Sequence, residues 1–471
     1  AYNNAHVVGA STIAASGNAG FTIASTSSTS VASDYSFTAP SIATVSGSIT
    51  ARSLTVSLTN TGVSKTYDGS TGAPAGFVPA YSFTGLASGD TAASLSSTGA
   101  AYNSKNVSAA NKLTVSGLAI TAVTGSNSSA ASDYALSASS ADVAASITPK
   151  NVTVTGLAVS DKTYDGLTTA SVSSWGSVST GVGSETLTVT GTAANFAGAD
   201  VLRSGDVPQA QTVTATGYSL GSGTGTASNY QLTSTSATST AKITPAALTV
   251  TANNDAKFVT RSDTSGYAGV SYSGFVNGES SAVLSTAPSI SRSNSATNTA
   301  GSYSGVLVPS GLSANNYSIS YASGDYTIVP SNQLLVTLNN ASTVYGSANS
   351  YSVASAQYHD PVANQVVTLS NVSVNASNQV TVNDGAGGSA SFTLAPKSAA
   401  YSGANKLRVG SYQLGISGAV TENSQNFSDT ITVVGAQTVT PKGLNASVTG
   451  GLSKTYDGNT AMNGLVLALS G

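Results

Sequence analysis

A five-residue motif, Lys-Thr-Tyr-Asp-Gly, recurs at domain-sized intervals along this chain of 471 residues. It occupies Lys65–Gly69, Lys162–Gly166 and Lys454–Gly458. The first two tyrosines are 164 − 67 = 97 residues apart, and the second and third are 456 − 164 = 292 apart, close to three times 97. An identity repeated at such an interval is typical of tandem domains. The chain is therefore expected to be an array of similar units.

Two degraded copies of the motif lie between the second and third intact ones. They are Lys257-Phe258-Val259 and Thr343–Gly346, with Phe258 and Tyr345 expected at the place of the tyrosine. The successive spacings are then 97, 258 − 164 = 94, 345 − 258 = 87 and 456 − 345 = 111 residues. Differences of this size are typical of loop insertions and deletions around one common unit.

Three further patterns recur in each unit. A short alternating run, such as Leu54, Val56 and Leu58, precedes the motif and predicts a half-buried strand. A second marker follows late in the unit, at Ser33–Tyr35, Ser132–Tyr134, Ser228–Tyr230, Asn315–Tyr317 and Gln425–Phe427. A third marker, predicted as the last strand, lies at Ile49–Ala51, Ile147–Pro149, Ile243–Pro245, Ile328–Pro330 and Val439–Pro441.

The proline junctions predict the domain boundaries. Proline cannot donate to a β-ladder and holds the residue before it in an extended conformation, so a short link of this kind is stiff. Both ends of the chain are expected to be parts of units, as in a piece of a longer array. The predicted domains are residues 1–49 (the carboxy-terminal part of a repeat), 50–149, 150–245, 246–330, 331–441 and 442–471 (the start of a further repeat).

The pattern inside each unit predicts an all-β fold. Runs of four to eight residues alternate with Gly, Asn and Asp turns, and no window holds a 3.6-residue period for the length of a helix. Units of roughly 95 residues fit immunoglobulin-like β-sandwiches joined in a rod-like array. The alternative, a parallel β-helix, needs coils that repeat every 20–30 residues, and no such period is found.

Composition excludes several classes of function. Only 7% of the residues are charged and the net charge is −3, so no basic stripe is available to bind nucleic acid. The chain has no cysteine, which excludes disulfides and thiolate metal sites. No apolar run approaches the roughly 20 residues of a membrane-spanning helix. Insertion of this segment into a membrane is therefore not expected.

The motif is interpreted as a structural element. Asp-Gly is a tight-turn dipeptide, and the tyrosine before it is expected to pack its ring on the end of its own sandwich, with its hydroxyl on a backbone partner. A sugar-binding site is the alternative, because Tyr, Asp and Lys together can hold a carbohydrate. The candidate residues are Lys65, Tyr67, Asp68, Gly69, Lys162, Tyr164, Asp165, Gly166, Lys454, Tyr456, Asp457 and Gly458.

Other chemistry has little support in the sequence. The motif lysines could form isopeptide bonds, but no acidic residue keeps a matching register. The two histidines, His6 and His359, stand in non-equivalent places and neither has a second histidine at metal-binding spacing. Calcium could bind loops such as Asn383–Gly385, although no repeat concentrates the acids that such a site needs. No catalytic residue, metal or cofactor is therefore predicted, and the chain is not expected to be an enzyme.

The motif resembles that of the YDG domains of large bacterial secreted adhesins. The third unit resembles the related MBG domains through Tyr272–Glu279, Ala300–Tyr303 and Asn316–Ile319. The fourth unit resembles them loosely. The resemblance implies two-partner-secretion, filamentous-haemagglutinin-like exoproteins, which pass through an outer-membrane transporter and fold outside the cell. It implies an extracellular or cell-surface location and a stalk that projects an adhesive tip or links cells in a biofilm matrix.

The expected partners are other copies of the chain or matrix components, including polysaccharide. Two alternative functions stay open. One is a glycan-binding array that acts by avidity, and repeated exposed aromatic residues would support it. The other is a filament that bundles with itself through its weakly charged sides.

Overall fold

The computed structural model describes residues 1–14, 24, 28–35, 44–449, 455 and 466–470, and almost every regular element in these residues is a strand. The helices found there are single 3₁₀ turns at Ala32–Asp34, Ala131–Asp133, Ala227–Asn229 and Ser281–Val283. None of the helices in the described residues has the length and apolar character that a membrane span requires. The prediction of all-β tandem domains is confirmed.

The chain packs into two compact units. The first comprises Ala1–Ala158, Val172–Ala194 and Thr214–Ser239, and the second comprises Val159–Ser171, Asn195–Val213 and Thr240–Gly471.

In the first unit, residues 50–149 form sheets around an apolar core. The opening strand Arg52–Leu58 pairs antiparallel with Tyr81–Thr84 and parallel with Tyr134–Leu136. Its alternating sequence buries Leu54 and Val56, as the period of two predicts.

A second sheet of this repeat contains the first motif. Its order is Val63–Thr66, Ser140–Thr148, Lys112–Ser116 and Gly99–Tyr102. Asp90–Ser96 and Ala119–Gly125 form a separate two-stranded antiparallel sheet. The core between these strands contains Val56, Tyr102, Leu113, Val115, Leu118 and Ile147.

Residues 150–245, which are divided between the two units, consist mostly of short strands. Lys150–Val152 runs parallel to Tyr230–Leu232, Val154–Thr155 is antiparallel to Ser177–Val178, and Leu187–Thr190 is antiparallel to Ser219–Ser222. At the amino-terminal end, Thr12–Ile13 pairs with Val45–Ser46. Further strands of residues 150–245 are Ala158–Val159, Lys162–Thr163, Val172–Ser174, Ala193–Phe196, Arg203–Ser204, Val207–Pro208, Ala210–Thr216 and Ser236–Thr244.

The second unit contains the third repeat, which has two sheets. One has the order Val270–Ser273, Ala246–Ala252 and Tyr317–Ala322. The other has the order Asp255–Phe258, Gly324–Val329, Gly301–Ser310 and Ser289–Arg292. The buried side chains of this core are Ala252, Leu307, Tyr326 and Ile328.

The fourth repeat, also in the second unit, has larger sheets. The four-stranded sheet has the order Gln365–Thr368, Val353–Asp360, Leu334–Leu338 and Ile431–Val434. The six-stranded sheet has the order Ala341–Val344, Ala436–Thr440, Gly410–Glu422, Ser389–Pro396, Gln379–Asn383 and Val372–Val374. A hairpin of Asn445–Thr449 and Val466–Ser470 follows.

Two parallel pairs recur in all four repeats. The opening strand pairs with the strand that begins at or just after the second marker, and the short strand that carries the motif pairs with the closing strand. An immunoglobulin-like sandwich is built mainly from antiparallel pairs, so these parallel pairs are a departure from that plan.

The closing strands end where the sequence predicts. They are Ser140–Thr148, Ser236–Thr244, Gly324–Val329 and Ala436–Thr440, and the next residue in each case is proline. Because proline has no amide proton, the ladder cannot continue through it. The next opening strand begins at once, at Lys150 and Ala246, or after a few residues, at Leu334.

Candidate functional site

The first copy of the motif folds into a charged turn. Lys65 Nζ donates to Asp68 Oδ1 at 2.8 Å and to the Ser70 carbonyl at 3.0 Å, and the Lys65 side chain is largely buried. Asp68 Oδ1 also accepts from the Ser70 amide at 2.8 Å. Gly69 has φ +79°, which favours glycine. The predicted Asp-Gly turn is therefore present, and the lysine and aspartate form a hydrogen-bonded ion pair.

The second copy repeats this geometry. Lys162 Nζ lies 2.7 Å from Asp165 Oδ1, the Leu167 amide donates to the same oxygen at 2.9 Å, and Gly166 has φ +75°. The third copy, with Lys454, Tyr456, Asp457 and Gly458, lies outside the described residues.

The tyrosine of the first copy points into the following repeat. Its side chain is 2% exposed, and its hydroxyl donates to Glu185 Oε1 at 2.8 Å. The Tyr230 hydroxyl donates to the other oxygen, Oε2, at 2.7 Å. The two rings meet edge to face, with centroids 5.3 Å apart at 75°. We call Tyr67, Glu185 and Tyr230 the first clasp, which lies within the first unit.

A second clasp, within the second unit, has the same construction. The Tyr164 hydroxyl donates to Glu279 Oε1 at 2.5 Å, and the Tyr317 hydroxyl donates to Glu279 Oε2. The rings are again edge to face, with centroids 5.6 Å apart at 77°. The prediction that the motif tyrosine finds a backbone partner within its own domain was therefore wrong. The hydroxyl donates to a carboxylate that lies 185 − 67 = 118 or 279 − 164 = 115 residues further along the chain.

The two phenols and the carboxylate change one another's ionisation. Burial, followed by the hydrogen bond to Glu185, raises the pKa of Tyr67 to about 12. Burial and Glu279 likewise raise the pKa of Tyr164 to about 12. The hydrogen bonds from Tyr230 and then Tyr67 hold the pKa of Glu185 below its usual range. The clasp therefore favours neutral phenols around a charged carboxylate.

Glycine allows the turn to approach the next repeat closely. A Cβ on Gly69 would lie 2.7 Å from Val182 Cγ1, and a Cβ on Gly166 would lie 2.7 Å from Asn277 Nδ2. These distances are shorter than ordinary Cβ contacts, so a side chain at either position would displace Val182 or Asn277 and would be strained by the positive φ.

The residue before the second-marker tyrosine makes another contact between consecutive repeats. Asn229 Oδ1 accepts from the Val107 amide at 2.9 Å, and Asn229 Nδ2 donates to Asn106 Oδ1 at 2.8 Å. The same contact recurs twice, through Asn316 with Asp200 and Val201 and through Asp133 with His6 and Val7. The second marker is therefore part of the junction between consecutive repeats.

The third repeat departs from this arrangement. Lys257 pairs across the ladder with Ile328 and Phe258 pairs with Val329, whereas in the first repeat Lys65 pairs with Ile147. This register puts Val259, rather than Phe258, at the position of Tyr67. The expected equivalence of Phe258 with the tyrosine was wrong by one residue, and a shift of one residue moves a side chain to the other face of the strand.

Phe258 instead joins a separate apolar cluster with Val329, Leu335 and Val434, and its ring lies 6.1 Å from that of His359. This apolar cluster joins the third and fourth repeats, together with hydrogen bonds from the Asn254 amide to Gln413 Oε1 and from Ser411 Oγ to the Tyr272 carbonyl. Among the described residues, no Tyr–Glu–Tyr clasp is found at this junction.

The degraded motif of the fourth repeat is more exposed to solvent than the two described intact copies. Its Tyr345 amide donates to the Thr440 carbonyl at 2.8 Å, as the Tyr67 amide does to Thr148 at 2.9 Å. The Tyr345 ring is only half-buried and lines an open groove with Val344, Val409 and Leu444.

In the described residues, no three histidine, aspartate or glutamate side chains come together as a metal-binding group. His6 contacts Asp133 at 2.6 Å, and His359 is buried with its Nδ1 2.8 Å from Ser331 Oγ.

The two acceptor carboxylates escaped prediction from the sequence, although a signal for them exists. Glu185 and Glu279 each end a short turn at similar places in successive units, in a chain with only 19 acidic residues. The spacing of the motif relates equivalent residues, but it does not say which residue of the next unit each one contacts.

Comparison with protein families gives three matches within residues 50–327. Residues 50–141 and 148–240 match the YDG domain, and residues 248–327 match the MBG domain of the YGX type. No curated protein matches the chain. The YDG matches contain both described copies of the motif, and the MBG match contains Glu279 and Tyr317. The middle of this chain thus matches two YDG domains in tandem followed by one MBG domain.

Proposed function

We propose that this chain is a structural segment of a bacterial extracellular adhesin, a stalk that projects an adhesive tip or links cells in a biofilm matrix. Tandem YDG and MBG domains support this proposal, because they resemble the repeats of large secreted adhesins. The proposal includes three further statements about the chain. It passes through an outer-membrane transporter, it lies outside the cell or on the cell surface, and it contacts other copies of itself or matrix polysaccharide.

The observation that carries the proposal is the recurrence of one clasp at two successive junctions. Bending such a junction separates a buried phenol from a charged carboxylate. A hydrogen bond to a charged group is worth about 1.5–3 kcal/mol, and its loss leaves a desolvated group unpaired. A series of such junctions resists bending, as a stalk requires.

The strand order also supports a stiff chain. Each closing strand ends before a proline and the next opening strand starts within a few residues, so little flexible linker separates the repeats. Four repeats of roughly 30–40 Å each would form a rod of at least about 120 Å.

Small-angle scattering of the full chain tests the mechanical part of the proposal. A rod of that length has a radius of gyration of roughly 35 Å or more. A compact particle of 471 residues would have about 23 Å, and that result would exclude a stalk. Antibodies against the repeats should also label intact, non-permeabilised cells of the source bacterium. Labelling only after lysis would contradict the proposed extracellular location.

The repeated tyrosines favour the stalk over a glycan-binding array. Such an array would present aromatic rings to solvent at equivalent positions. Five of the tyrosines in the described motifs and second markers, Tyr67, Tyr134, Tyr164, Tyr230 and Tyr317, are instead buried, and Tyr35 is exposed.

A further inference from the structure

A carboxylate equivalent to the clasp acceptors also stands in the first complete repeat. Asp90, Glu185 and Glu279 each follow a tight turn in which their own amide donates to the carbonyl three residues earlier, at 3.0 Å in all three cases. Each then accepts from the second-marker tyrosine of its own repeat, and for Asp90 this is Tyr134 at 2.5 Å. Asp90 and Tyr134 therefore have the construction of the accepting half of a clasp.

The three carboxylates differ in the use of their second oxygen. In Glu185 and Glu279 that oxygen accepts from the motif tyrosine of the preceding repeat. Asp90 Oδ2 accepts hydrogen bonds from both the Tyr134 hydroxyl and Ser129 Oγ. Asp90 Oδ1, in contrast, is buried and has no hydrogen-bond partner among the described residues. The Asp90 side chain is only 9% exposed. A buried carboxylate oxygen without a partner is costly, which indicates that a donor belongs there.

Residues 1–14 indicate where that donor comes from. Asn3 Nδ2 donates to the Gly9 carbonyl and Asn3 Oδ1 accepts from the Ser11 amide, at 3.0 and 2.9 Å. Asn103 makes the same two bonds with Ala109 and Asn111, both at 3.1 Å. Residues 1–14 thus reproduce the loop by which a repeat docks on its successor.

The docking contact is also the same. The Val7 amide donates to Asp133 Oδ1 as the Val107 amide donates to Asn229 Oδ1. The only tyrosines in residues 1–49 are Tyr2, whose hydroxyl donates to the Ser48 carbonyl, and Tyr35, which is exposed. Neither is a motif tyrosine. In the next repeat the motif tyrosine lies 103 − 67 = 36 residues before the loop asparagine.

We propose that Asp90 Oδ1 and Tyr134 form a docking site for the tyrosine hydroxyl of a Lys-Thr-Tyr-Asp-Gly motif in the repeat to which residues 1–49 belong. Asp90 Oδ1 has almost no accessible surface in this structure, so the carboxylate must turn for this oxygen to accept the hydroxyl while Tyr134 stays on the other oxygen. Aspartate is one methylene shorter than glutamate, so this tyrosine approaches the turn Leu86–Asp90 more closely than Tyr67 approaches Glu185. The inference rests on the clasp and not on the adhesin role.

A chain with an added front half tests the site. Because Ala101-Tyr102-Asn103 corresponds to Ala1-Tyr2-Asn3, a second copy of residues 50–100 is joined ahead of Ala1 and the full chain is kept. Hydrogen exchange is followed in the peptide that covers Leu86–Ser96. Changing the added motif tyrosine to phenylalanine should speed exchange there by about tenfold, which corresponds to about 1.4 kcal/mol.

The same change is then made together with Asp90→Asn. An amide offers one acceptor oxygen to two hydroxyls. The effect of the tyrosine change should therefore fall to about twofold or less. Tyr67→Phe with Glu185→Gln in the same chain is the matched control, followed in the peptide around Glu185.

The outcomes separate the inference from the clasp. Coupling here means that the tyrosine change has a smaller effect on exchange when the carboxylate is already changed. Coupling at both sites supports the inference. Coupling at Tyr67 and Glu185 without coupling at Asp90 overturns it and leaves the first clasp intact. Absence of coupling at both sites overturns the clasp itself, and the basis of the proposed function with it. If the first extended chain does not fold, residues 148–194 are placed ahead of Ala1 instead, since Asn195-Phe196 also corresponds to Ala1-Tyr2.

Discussion

At the scale of single residues, each clasp places two phenols on one carboxylate. Glu185 and Glu279 use both of their oxygens, so neither is left as a buried charge without partners. Charge-assisted hydrogen bonds of this kind are about twice as strong as neutral ones. The edge-to-face rings add about 0.5–1.5 kcal/mol beyond their buried area. These three side chains therefore contribute strongly to each junction.

Removal of one hydroxyl measures this energy. Tyr67→Phe and Tyr164→Phe keep the rings but lose the bond to glutamate, so each should destabilise its junction by about 1.5–3 kcal/mol. Tyr164→Ala also removes the ring and should cost about 3–5 kcal/mol. Hydrogen exchange around Glu185 and Glu279 reports the loss. Tyr345→Phe is the control, because its half-buried ring lies outside a clasp, and an equal effect there would contradict the assignment.

Alkaline pH should open the clasps. The folded-state pKa of Tyr67 and Tyr164 is about 12, above the ordinary value of 10. A raised pKa means that the stabilisation is fully present below pH 10 and is lost as the pH rises to about 12. Hydrogen exchange at Glu185 and Glu279 should therefore accelerate between pH 10 and 12, beyond the intrinsic increase with pH. In a Tyr67→Phe, Tyr164→Phe double variant, this additional step should be absent.

At the scale of strands and turns, the sequence predicted local structure well and partners poorly. Alternation marked Leu54 and Val56 as buried, and proline marked the ends of the closing strands, because both depend on neighbouring residues. The parallel pairing of Arg52 with Tyr134 joins residues 134 − 52 = 82 positions apart, and no local pattern encodes it. The bond from Tyr67 to Glu185 escaped prediction for the same reason. Phe258 was aligned with the motif tyrosine because both residues are aromatic, whereas the register of the β-ladder aligns Val259 with that tyrosine.

The turn after the tyrosine offers a matched pair of glycines. Gly69 and Gly346 both have positive φ, of +79° and +92°, so alanine should cost about 1–2 kcal/mol at either position. A Cβ at Gly69 would also meet Val182 at 2.7 Å, whereas a Cβ at Gly346 would meet nothing within 4 Å. Gly69→Ala should therefore loosen the junction as well as the turn. Hydrogen exchange near Val182 should rise in Gly69→Ala, and equal costs for the two variants, confined to their own turns, would show that the close approach is unimportant.

At the scale of the whole molecule, charged residues are scarce, and several of them are found at the junctions between repeats. Only 19 acidic residues serve 471 positions, and several of them lie at the contacts between consecutive repeats, among them Glu185, Glu279, Asp133 and Asp200. The low overall charge supports the proposed contact with neutral polymers or with other copies of the chain. At least four of the 19 acidic residues thus contact a neighbouring repeat.

If the clasp stiffens the chain, its loss should increase motion between repeats without unfolding them. The chain has no cysteine, so two introduced cysteines give unique sites for spin labels. Ser94→Cys and Ser173→Cys place exposed labels in consecutive repeats, both within the first unit. Electron–electron dipolar spectroscopy should give a narrow distance distribution for this pair. Adding Tyr67→Phe and Glu185→Gln should broaden it, because the junction then samples more orientations.

A label pair within one repeat, Ser57→Cys with Ser94→Cys, controls for local unfolding and should keep its width in every variant. Broadening of both pairs would mean that the clasp supports the domain fold and not the junction. An unchanged width for the pair in consecutive repeats would mean that the opening strand and the Asn229 contact are sufficient to fix the junction. The mechanical role would then have to be assigned to the proline links and the backbone ladder.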